Sequence, residues 1–481
     1  MPLTASRSGS PFTLTPEDEE RLQARIALAI TRARASGRGT LASISVALAG
    51  HDVDPSSVAC ASRRAGEPMF LLEQPERARR ALAGLGSATE LQASGAERFA
   101  RVAARWRELV ADAAADPQEG PGGGPLALGG FSFAPDGGAS PHWQGFQPAS
   151  LVVPELLLSR REGDGVWMTL TTLAQADDVA DELLGRLRGR LRELHERTLP
   201  LLDPAPAGRF QVVSSMPPEH YEQAVARAVE RIRGGELKKV VLAREVQVHA
   251  PRDYDAPAVF AVLREQFPSC YVFCVARGDA AFIAASPELL LRREGQRVST
   301  MALAGSMRRS ADPAVDDHLG EQMLRDRSYR EEHDIVARRI ARRLRRHSIW
   351  VTAAPEPELV RIANIQHLGT PIRAQLSAPI DLLELAGLMH PTPAVGGEPT
   401  PLALPMIPGL EGLDRGWYLG PVGWTDATGD GELCVALRCA LLRGNVARCY
   451  AGGGIVRESH PPSELAETEI KLQALLPLLA G

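Results

Sequence analysis

The sequence predicts an α+β fold made of two related halves. Strand-like alternation and helical apolar stripes follow one another along the 481 residues. The motif PELLLSRREG at 154–163 returns as PELLLRREG at 287–295, each time after a Gly/Ala-rich strand and before an expected hairpin. This identity favours a degenerate internal repeat, with two similar but unrelated hairpins as the alternative.

Composition narrows the class of protein. The chain is 44% hydrophobic, enough for a sizeable core, and its 54 basic and 59 acidic residues give a net charge of −5. That balance excludes the basic footprint of a general nucleic-acid binder and favours a small-molecule partner. Six cysteines are too few for a disulfide scaffold and predict reduced, buried thiols. The sequence contains no apolar run of transmembrane length and no secretory h-region, so a cytoplasmic protein without membrane contact is expected.

The first half is expected to span 16–205, after a flexible tail at 1–15. Thr15 and Pro16, followed by acidic residues, are typical of a helix start, and Gly37 of its end. The other elements are predicted from apolar periodicity and from clustered prolines: helices at 97–115 and 178–198, strands at 42–48 and 126–135, and a linker at 200–206.

The second half is expected to span 206–481 and to carry the chemistry. Its first predicted helix begins at Pro217 and ends at Gly234. The remaining elements follow from the same periodicities: strands at 237–248, 281–285 and 287–303, a long helix at 316–347, and three strand-like runs within 415–456.

Two charged residues lie where strand patterns predict apolar ones. Lys238 and Lys239 are adjacent in a strand, so one of them must face inward. A buried lysine of lowered pKa suits a general base, and Glu288, beside three leucines, suits a proton donor of raised pKa. The alternatives are edge-strand lysines that prevent aggregation and an exposed residue at a strand start. Glu155 has the same place in the first copy of the motif, so the motif alone does not identify an acid.

Carboxylates at helical spacing indicate a metal site. Glu332 lies on the 316–347 helix, and Glu464, Glu467 and Lys471 share one face of a C-terminal helix. Acidic side chains from two helices suit Mg²⁺, which binds a few carboxylates and keeps waters. A solvated salt-bridge face is the alternative. The sequence lacks HExxH, paired CxxC and EF-hand patterns, so zinc and calcium are unsupported.

Glycines and an arginine indicate an anionic ligand. The run at 452–454 lacks the Walker and dinucleotide-binding patterns, so a nucleotide site is disfavoured. Such glycines let backbone N–H groups approach an anion, and Arg438 within a strand could hold a carboxylate through two bonds. The basic run at 337–347 has an apolar stripe, which favours a solvated helix face over an anion-binding patch.

Nine motifs occur in the order seen in chorismate-utilising enzymes. They are KVVLAR (239–244), ASPELLLR (285–292), LAGS (303–306), EEH (331–333), HLGTP (367–371), HPTPAVGG (390–397), GPVGW (420–424), LRCALL (437–442) and ETEIK (467–471). The chain therefore resembles this family, and within it the isochorismate synthases, densely over about 210–481 and thinly at 129–135 and 153–158. The resemblance implies one large α+β domain of two packed antiparallel sheets with helices outside and pseudo-duplicated halves.

The resemblance also implies a reaction and roles for the residues. Chorismate becomes isochorismate by addition of water at ring carbon C2 and loss of the C4 hydroxyl. Lys239 would activate the water, and Glu288 would protonate the leaving hydroxyl. The Mg²⁺ that binds the ring carboxylate would be held by Glu332, Glu464 and Glu467. The residues implied to bind or surround the substrate are Gly305, Ser306, His367, Ala394, Val395, Tyr418, Arg438, Gly452 and Lys471.

Within the family, the nucleophile separates the members. Aminodeoxychorismate synthases resemble this chain but carry a lysine nucleophile in the segment that matches 392–395, where Thr392-Pro393-Ala394-Val395 provides none. Water is therefore the expected nucleophile, in a monomer that needs no glutaminase subunit and serves menaquinone or siderophore biosynthesis. A salicylate synthase, which also eliminates pyruvate, and a non-catalytic chorismate-binding paralogue are the alternatives. Two departures are Ser328-Tyr329, where many relatives have Lys-Asp, and Glu469, which adds negative charge near the metal.

Overall fold

Two β-sheets share one apolar core in the computed structural model, which describes residues 10–48, 50–116, 122–161, 165–203 and 206–481. The larger sheet packs one face against the smaller sheet, and helices cover its other face through a second core. This is the predicted α+β architecture of two packed sheets with helices outside.

The first half begins with a helix whose N-terminus matches the sequence prediction. The Thr15 hydroxyl and the Asp18 carboxylate form a capping box at the start of α1. The helices are α1 (Pro16–Ser36), α2 (Pro55–Ser62), α3 (Arg98–Ala111) and α4 (Ala180–Arg192). The strands are β1 (Thr40–Ala47), β2 (Met69–Gln74), β3 (Arg80–Leu85), β4 (Thr89–Ala93), β5 (Ala114–Ala115), β6 (Leu126–Phe131), β7 (Ala149–Val153), β8 (Leu156–Arg161) and β9 (Gly165–Ala174).

The second half supplies the longer strands. The helices are α5 (Pro218–Arg233), α6 (Ala256–Gln266), α7 (Pro313–Arg325), α8 (Arg327–Arg345), α9 (Leu382–Met389), α10 (Thr400–Ala403), α11 (Ile407–Glu411), α12 (Pro461–Leu472) and α13 (Leu476–Ala480). The strands are β10 (Gln211–Ser214), β11 (Lys239–His249), β12 (Tyr271–Arg277), β13 (Ala280–Ser286), β14 (Leu289–Glu294), β15 (Arg297–Arg308), β16 (Ser348–Ala353), β17 (Glu358–Ile362), β18 (Ile365–Leu376), β19 (Gly397–Glu398), β20 (Pro421–Asp426), β21 (Gly431–Val435), β22 (Cys439–Arg443) and β23 (Val446–Ile455).

Both halves contribute strands to each sheet. The larger sheet has the order β10-β11-β23-β22-β13-β12-β2-β3-β8-β9-β1-β5, with β19 paired to β11. The smaller sheet has the order β16-β18-β15-β14-β21-β20-β6-β7-β4, with β17 paired to β18. The ladders are antiparallel, apart from the short parallel contact of β1 with β5. The halves 16–205 and 206–481 are therefore interleaved parts of one structure.

Alternation of side chains gives the larger sheet its two cores. In β12, Phe273 and Val275 point into the core between the sheets, whereas Val272 and Cys274 point into the core beneath the helices. Both faces of the strand are buried, which explains why the run reads as continuously apolar. Cys60 is partly buried and the other five cysteines are buried; all six are free thiols, as predicted.

The repeated motif marks two places where the chain changes sheets. In the first copy, β7 of the smaller sheet continues through Pro154-Glu155 into β8 of the larger sheet. In the second copy, β13 of the larger sheet continues through Pro287-Glu288 into β14 of the smaller sheet. Each copy then enters an antiparallel pair, although residues 162–164 of the first turn lie outside the described residues. The two copies thus cross between the sheets in opposite directions.

The predicted long helix at 316–347 is wrong, because it is two helices. Asp326 has extended backbone angles (φ −67°, ψ 125°), which end α7. Its carboxylate accepts hydrogen bonds from the backbone N–H groups of Ser328, at 2.8 Å, and Tyr329, at 3.4 Å, which start α8. The break gives α8 its own orientation, and α8 carries Glu332.

Smaller differences concern element ends. The predicted tail at 1–15 is packed from residue 10 onward, since Phe12 and Leu14 are buried, and residues 1–9 lie outside the described part. The three runs predicted within 415–456 are four strands, β20 to β23, and the strand predicted at 126–135 ends at Phe131. The linker prediction falls partly on residues 204–205, outside the described part. In the described residues, none of the helices combines the length and apolarity needed to span a bilayer.

Candidate active site

A narrow cavity lies where β11 and β23 of the larger sheet face β15 and β18 of the smaller sheet, with α8 and α12 alongside. Its walls contain all the residues predicted for the site except Val395 and Glu464. The lining residues are Lys239, Val241, Pro287, Glu288, Leu303, Ala304, Gly305, Ser306, Glu332, His367, Ala394, Tyr418, Leu419, Leu437, Arg438, Tyr450, Ala451, Gly452, Gly453, Gly454, Glu467 and Lys471.

Lys239, the first residue of β11, is the inward member of the lysine pair. Its side chain is 1% exposed, whereas Lys238 is exposed to solvent. The Nζ atom donates a hydrogen bond to Glu332 Oε1 at 2.8 Å, so this buried ammonium has a carboxylate partner. On the neighbouring strand, a Cβ atom at Gly454 would lie 2.7 Å from Lys239 Cε. Glycine at 454 therefore makes room for the lysine side chain.

Glu288 lies at the sheet crossing between β13 and β14. It is 4% exposed, and burial raises its pKa to about 8, against the opposing influence of Lys239, Arg438 and Lys471. At neutral pH this carboxyl is therefore largely protonated and can donate a proton. Its counterpart Glu155 is only partly buried and lies outside the cavity. The prediction that the motif alone would not identify the acid is thereby explained, because burial distinguishes the two copies.

His367 and Arg438 form a buried network at one end of the cavity. The His367 ring lies with Nδ1 2.8 Å from the carbonyl oxygen of Gly305, so Nδ1–H is the donor. His367 Nε2 then accepts from Arg438 Nη2 at 3.1 Å. Burial and the charge of Arg438 lower the pKa of His367 well below its usual value. A neutral imidazole thus orients the guanidinium, and Ser306 Oγ lies 3.2 Å from the same Nδ1.

Two stacked tyrosines form an apolar wall. The rings of Tyr418 and Tyr450 are 5.2 Å apart and nearly parallel, and both are buried. Sequence reasoning identified Tyr418 but missed Tyr450. The signal was available, because Tyr450 and Gly452 are two residues apart on β23 and so share a face of the strand.

Lys471 on α12 joins the carboxylate side of the cavity to β23. Its Nζ atom donates to Glu467 Oε1 at 2.6 Å and to the carbonyl oxygen of Gly452 at 2.7 Å. The prediction singled out the amide near Gly452, whereas the structure engages the Gly452 carbonyl with lysine. A Cβ atom at Gly453 would lie 2.9 Å from Glu464 Oε2, so these glycines let α12 approach the strand closely.

Three carboxyl groups, those of Glu332, Glu464 and Glu467, lie beside the cavity and differ in whether a lysine is paired with them. Glu332 pairs with Lys239 and Glu467 pairs with Lys471. Burial and the charges of Glu467 and Glu332 raise the pKa of Glu464 to about 8. Within the described residues, no group of three His, Cys, Asp or Glu side chains is arranged so that it could hold a metal ion. The donor chemistry of the three carboxylates nevertheless suits a cation that takes a few carboxylates and keeps waters, because one more positive charge would relieve the repulsion among them.

The structure places three residues differently from what the sequence analysis expected. Val395 is buried in the core, away from the cavity, and its carbonyl accepts a hydrogen bond from Arg415 Nη1 at 3.0 Å. Glu469 forms an ion pair with Arg244 and lies outside the cavity lining, so its charge does not add directly to the carboxylate group. Tyr329, of the Ser328-Tyr329 departure, lies against Gly305, where a Cβ atom would be 3.2 Å from Tyr329 Cδ1.

Known proteins resemble this chain over most of its length. Residues 28–480 match the family described as chorismate binding enzyme. The chain is 37% identical over 456 residues to the salicylate biosynthesis isochorismate synthase of Pseudomonas aeruginosa, covering 94% of this chain and 93% of that protein. It is 38% identical over 257 residues to the isochorismate synthase EntC of Escherichia coli K12, covering 53% and 66% of the two chains.

Solved structures show the same architecture. The menaquinone-specific isochorismate synthase MenF of Escherichia coli superimposes with a TM-score of 0.75 at 27% identity, covering 95% of this chain and 100% of that one. A putative 2,3-dihydroxybenzoate-specific isochorismate synthase, DhbC of Bacillus anthracis, gives a TM-score of 0.69 at 28% identity, covering 88% and 100%.

Proposed function

Since the chain belongs to the family of chorismate binding enzymes, we propose that it is an isochorismate synthase, a Mg²⁺-dependent isomerase that converts chorismate to isochorismate. One observation carries the proposal. A buried lysine and a buried, largely protonated carboxyl, Lys239 and Glu288, share one cavity with cationic groups. Moving a hydroxyl between ring carbons needs such a pair, one group to take a proton from water and one to give a proton to the leaving oxygen.

The proposed reaction divides between these two residues. Lys239 first passes its ammonium proton to its partner Glu332 and then, as the amine, takes a proton from water as the water oxygen bonds to C2 of the ring. Both ring double bonds shift, from C1=C2 to C1=C6 and from C5=C6 to C4=C5, and the C4–O bond breaks. Glu288 gives its proton to that oxygen, which leaves as water. One water enters and one leaves, so the reaction is an isomerisation, and the proton on Lys239 returns to Glu288 through solvent before the next turnover.

Cationic groups would hold the substrate carboxylates. Arg438 is oriented by His367, and Lys471 is fixed by Glu467 and Gly452, so both are positioned before substrate arrives. Preorganised donors of this kind cost little reorganisation during the reaction. The stacked Tyr418 and Tyr450 would contact the apolar face of the ring.

Mg²⁺ would be held by Glu332, Glu464 and Glu467. When bound, the ion would neutralise the ring carboxylate and orient the substrate. Burial and the charges of Glu467 and Glu332 raise the pKa of Glu464, and a bound cation would relieve the repulsion part of this effect, which supports the assignment. The three residues would supply carboxylate ligands of the kind that Mg²⁺ takes together with waters.

Water is the proposed nucleophile because residues 392–395, the segment that matches the lysine-bearing segment of aminodeoxychorismate synthases, offer no other nucleophile. Ala394 lines the cavity, while Thr392, Pro393 and Val395 do not, so this wall contains no amine. Relatives whose names specify salicylate, menaquinone and 2,3-dihydroxybenzoate all carry the name isochorismate synthase. We therefore propose that isochorismate is released as the product, for menaquinone or siderophore biosynthesis.

Product analysis tests the proposal. The purified chain is incubated with chorismate and Mg²⁺, and the products are resolved by chromatography. Isochorismate in equilibrium with chorismate, without pyruvate, is the expected result. Salicylate with stoichiometric pyruvate would instead identify a salicylate synthase. Bound chorismate without any product would identify a non-catalytic paralogue.

A further inference from the structure

A second cavity, of about 860 Å³, lies outside the active site between α3, the segment after β6 and the segment 404–416. Its apolar wall includes Phe99, Phe133, Pro391, Leu404 and Ile407, and none of these lines the active-site cavity. This volume is within the range of small-molecule sites, which are mostly apolar with a few polar groups. The polar groups of this cavity therefore indicate what it can bind.

Arg98, the first residue of α3, supplies a buried positive charge at this cavity. It is 4% exposed and its guanidinium lies 4.8 Å from the centre of the Phe99 ring. Nη2 donates to the Ser132 carbonyl at 3.0 Å, whereas its contact with the Phe133 carbonyl and that of Nη1 with Gly95 are both long, at 3.4 Å. In the part of the chain that is described, no carboxylate forms an ion pair with Arg98, and Nε has no partner.

The acidic groups near Arg98 do not neutralise it. Asp414 is engaged elsewhere, since it accepts hydrogen bonds from the backbone N–H groups of Gly138 and Ser140 at 2.9 and 2.8 Å. Asp136 is exposed at the rim of the cavity. His390, beside them, donates from Nε2 to the Phe133 carbonyl at 3.1 Å, and burial together with the charge of Arg98 lowers its pKa to about 3, so the ring is neutral. A buried cation that borders an apolar cavity without a carboxylate favours an anionic ligand.

Three rings define the shape of the ligand. The His390 ring lies 5.9 Å from both Phe99 and Phe133, almost perpendicular to Phe133. The Phe99 ring stacks on Phe131 and also has the Arg98 guanidinium over it, so the edge of this ring is what remains for a ligand. We propose that this cavity is a second ligand site, which binds a small aromatic carboxylate through Arg98 and packs its ring against Phe133 and the edge of Phe99. A carboxylate matches the planar fork of the guanidinium and would replace its long carbonyl contacts with charge-assisted hydrogen bonds. This site does not depend on the reaction proposed above.

The cavity is separate from the active site but shares a support with it. Arg415 lines the second cavity, and its guanidinium donates to the carbonyls of Val395 and Val241 at 3.0 and 2.8 Å. Val241 lines the active site, where Arg438 and Lys471 also attract carboxylates. A binding experiment must therefore distinguish the two cavities.

Calorimetric titration of the full chain with benzoate makes this distinction. The Arg438→Met variant, which weakens binding in the active site, is expected to bind benzoate still. Adding Arg98→Met to it should weaken binding at least about tenfold, because a charge-assisted pair is lost. Arg101→Met, at an exposed arginine on the same helix, is the matched control and should leave the affinity unchanged. Neutral benzamide should bind at least about tenfold more weakly than benzoate.

Three results would overturn the proposal: no binding to Arg438→Met at millimolar benzoate, equal binding with and without Arg98→Met, or equal affinity for benzamide. If Arg98→Met fails to fold by circular dichroism, the wild-type protein is crystallised with 4-bromobenzoate. Anomalous scattering then locates bromine. Bromine between Phe99 and Phe133 supports the site, and bromine only in the active site, or nowhere, overturns it.

Discussion

The ammonium of Lys239 lies 2.8 Å from the carboxylate of Glu332, in a wall where Lys239 is 1% exposed. The sequence analysis expected a buried lysine of lowered pKa and named no partner for it. The ion pair instead fixes Nζ at the cavity wall and ties β11 to α8. The base and one carboxylate of the proposed metal site are thus in direct contact, so a change at either residue reaches the other.

Replacement of Lys239 tests its role as base. Lys239→Ala is expected to lower kcat by about 10²–10⁴-fold, because the proton acceptor is removed. Chorismate turnover is measured by chromatography, with thermal unfolding as the check on folding. Lys238→Ala, at the exposed neighbour, should keep wild-type activity. Near-normal activity of folded Lys239→Ala would exclude this residue as the base.

Replacement of Glu288 tests the acid. Glu288→Gln keeps the shape of the side chain but cannot donate a carboxyl proton, so kcat is expected to fall by about 10²–10⁴-fold. Glu155→Gln, at the equivalent position of the first repeat, is the matched control and should turn over normally. A Glu288→Gln protein with more than about a tenth of wild-type activity contradicts the acid assignment.

The pH profile follows from the raised pKa of Glu288. Donation needs the protonated form, and this form is lost as the pH rises through about 8. Activity is therefore expected to decline on the alkaline side of about pH 8. Glu464 has a similar pKa, so the profile is repeated with Glu464→Gln at saturating Mg²⁺. The alkaline decline should persist in that variant, and its disappearance would assign the titration to Glu464.

The carboxylate group predicts a metal requirement. Removal of Mg²⁺ by EDTA should stop turnover, and added Mg²⁺ should restore it. Glu464→Gln and Glu467→Gln are each expected to raise the Mg²⁺ concentration needed for half-maximal activity, because each removes a carboxylate ligand. Glu458→Gln, at an exposed residue before α12, serves as the control. Full activity after EDTA treatment would make the carboxylates structural.

Glycine at 454 is predicted to be required by the active site. In Gly454→Ala the new methyl group would crowd Glu332 and lie 2.7 Å from Lys239 Cε, so activity should fall at least about tenfold. Gly185→Ala, at an exposed position of α4 with open space around it, should instead raise the free energy of unfolding by about 0.5–1 kcal/mol. Urea denaturation measures this stability for both variants. Wild-type kinetics in Gly454→Ala would show that the lysine can be accommodated elsewhere.

Several features could be predicted because they depend on neighbouring residues along the chain. The inward lysine followed from strand alternation, and the start of α1 followed from Thr15 and Pro16. The break at Asp326 was missed although its signal is local, because Asp326 is an N-cap residue whose carboxylate accepts from N–H groups two and three residues later. Tyr450 was missed because its motif drew attention to the glycines that follow it.

The sequence by itself determined the α+β class and the repeated motif, and it identified the candidate acid, base and carboxylate side chains. These depend on local periodicity and on residue chemistry, which short segments contain. Only the tertiary structure decided that Glu288 and not Glu155 is buried, that Lys239 has a carboxylate partner, and that burial and neighbouring carboxylates raise the pKa of Glu464. Desolvation and Coulomb energies depend on distances between segments far apart in the chain, and these distances exist only after the two sheets have packed.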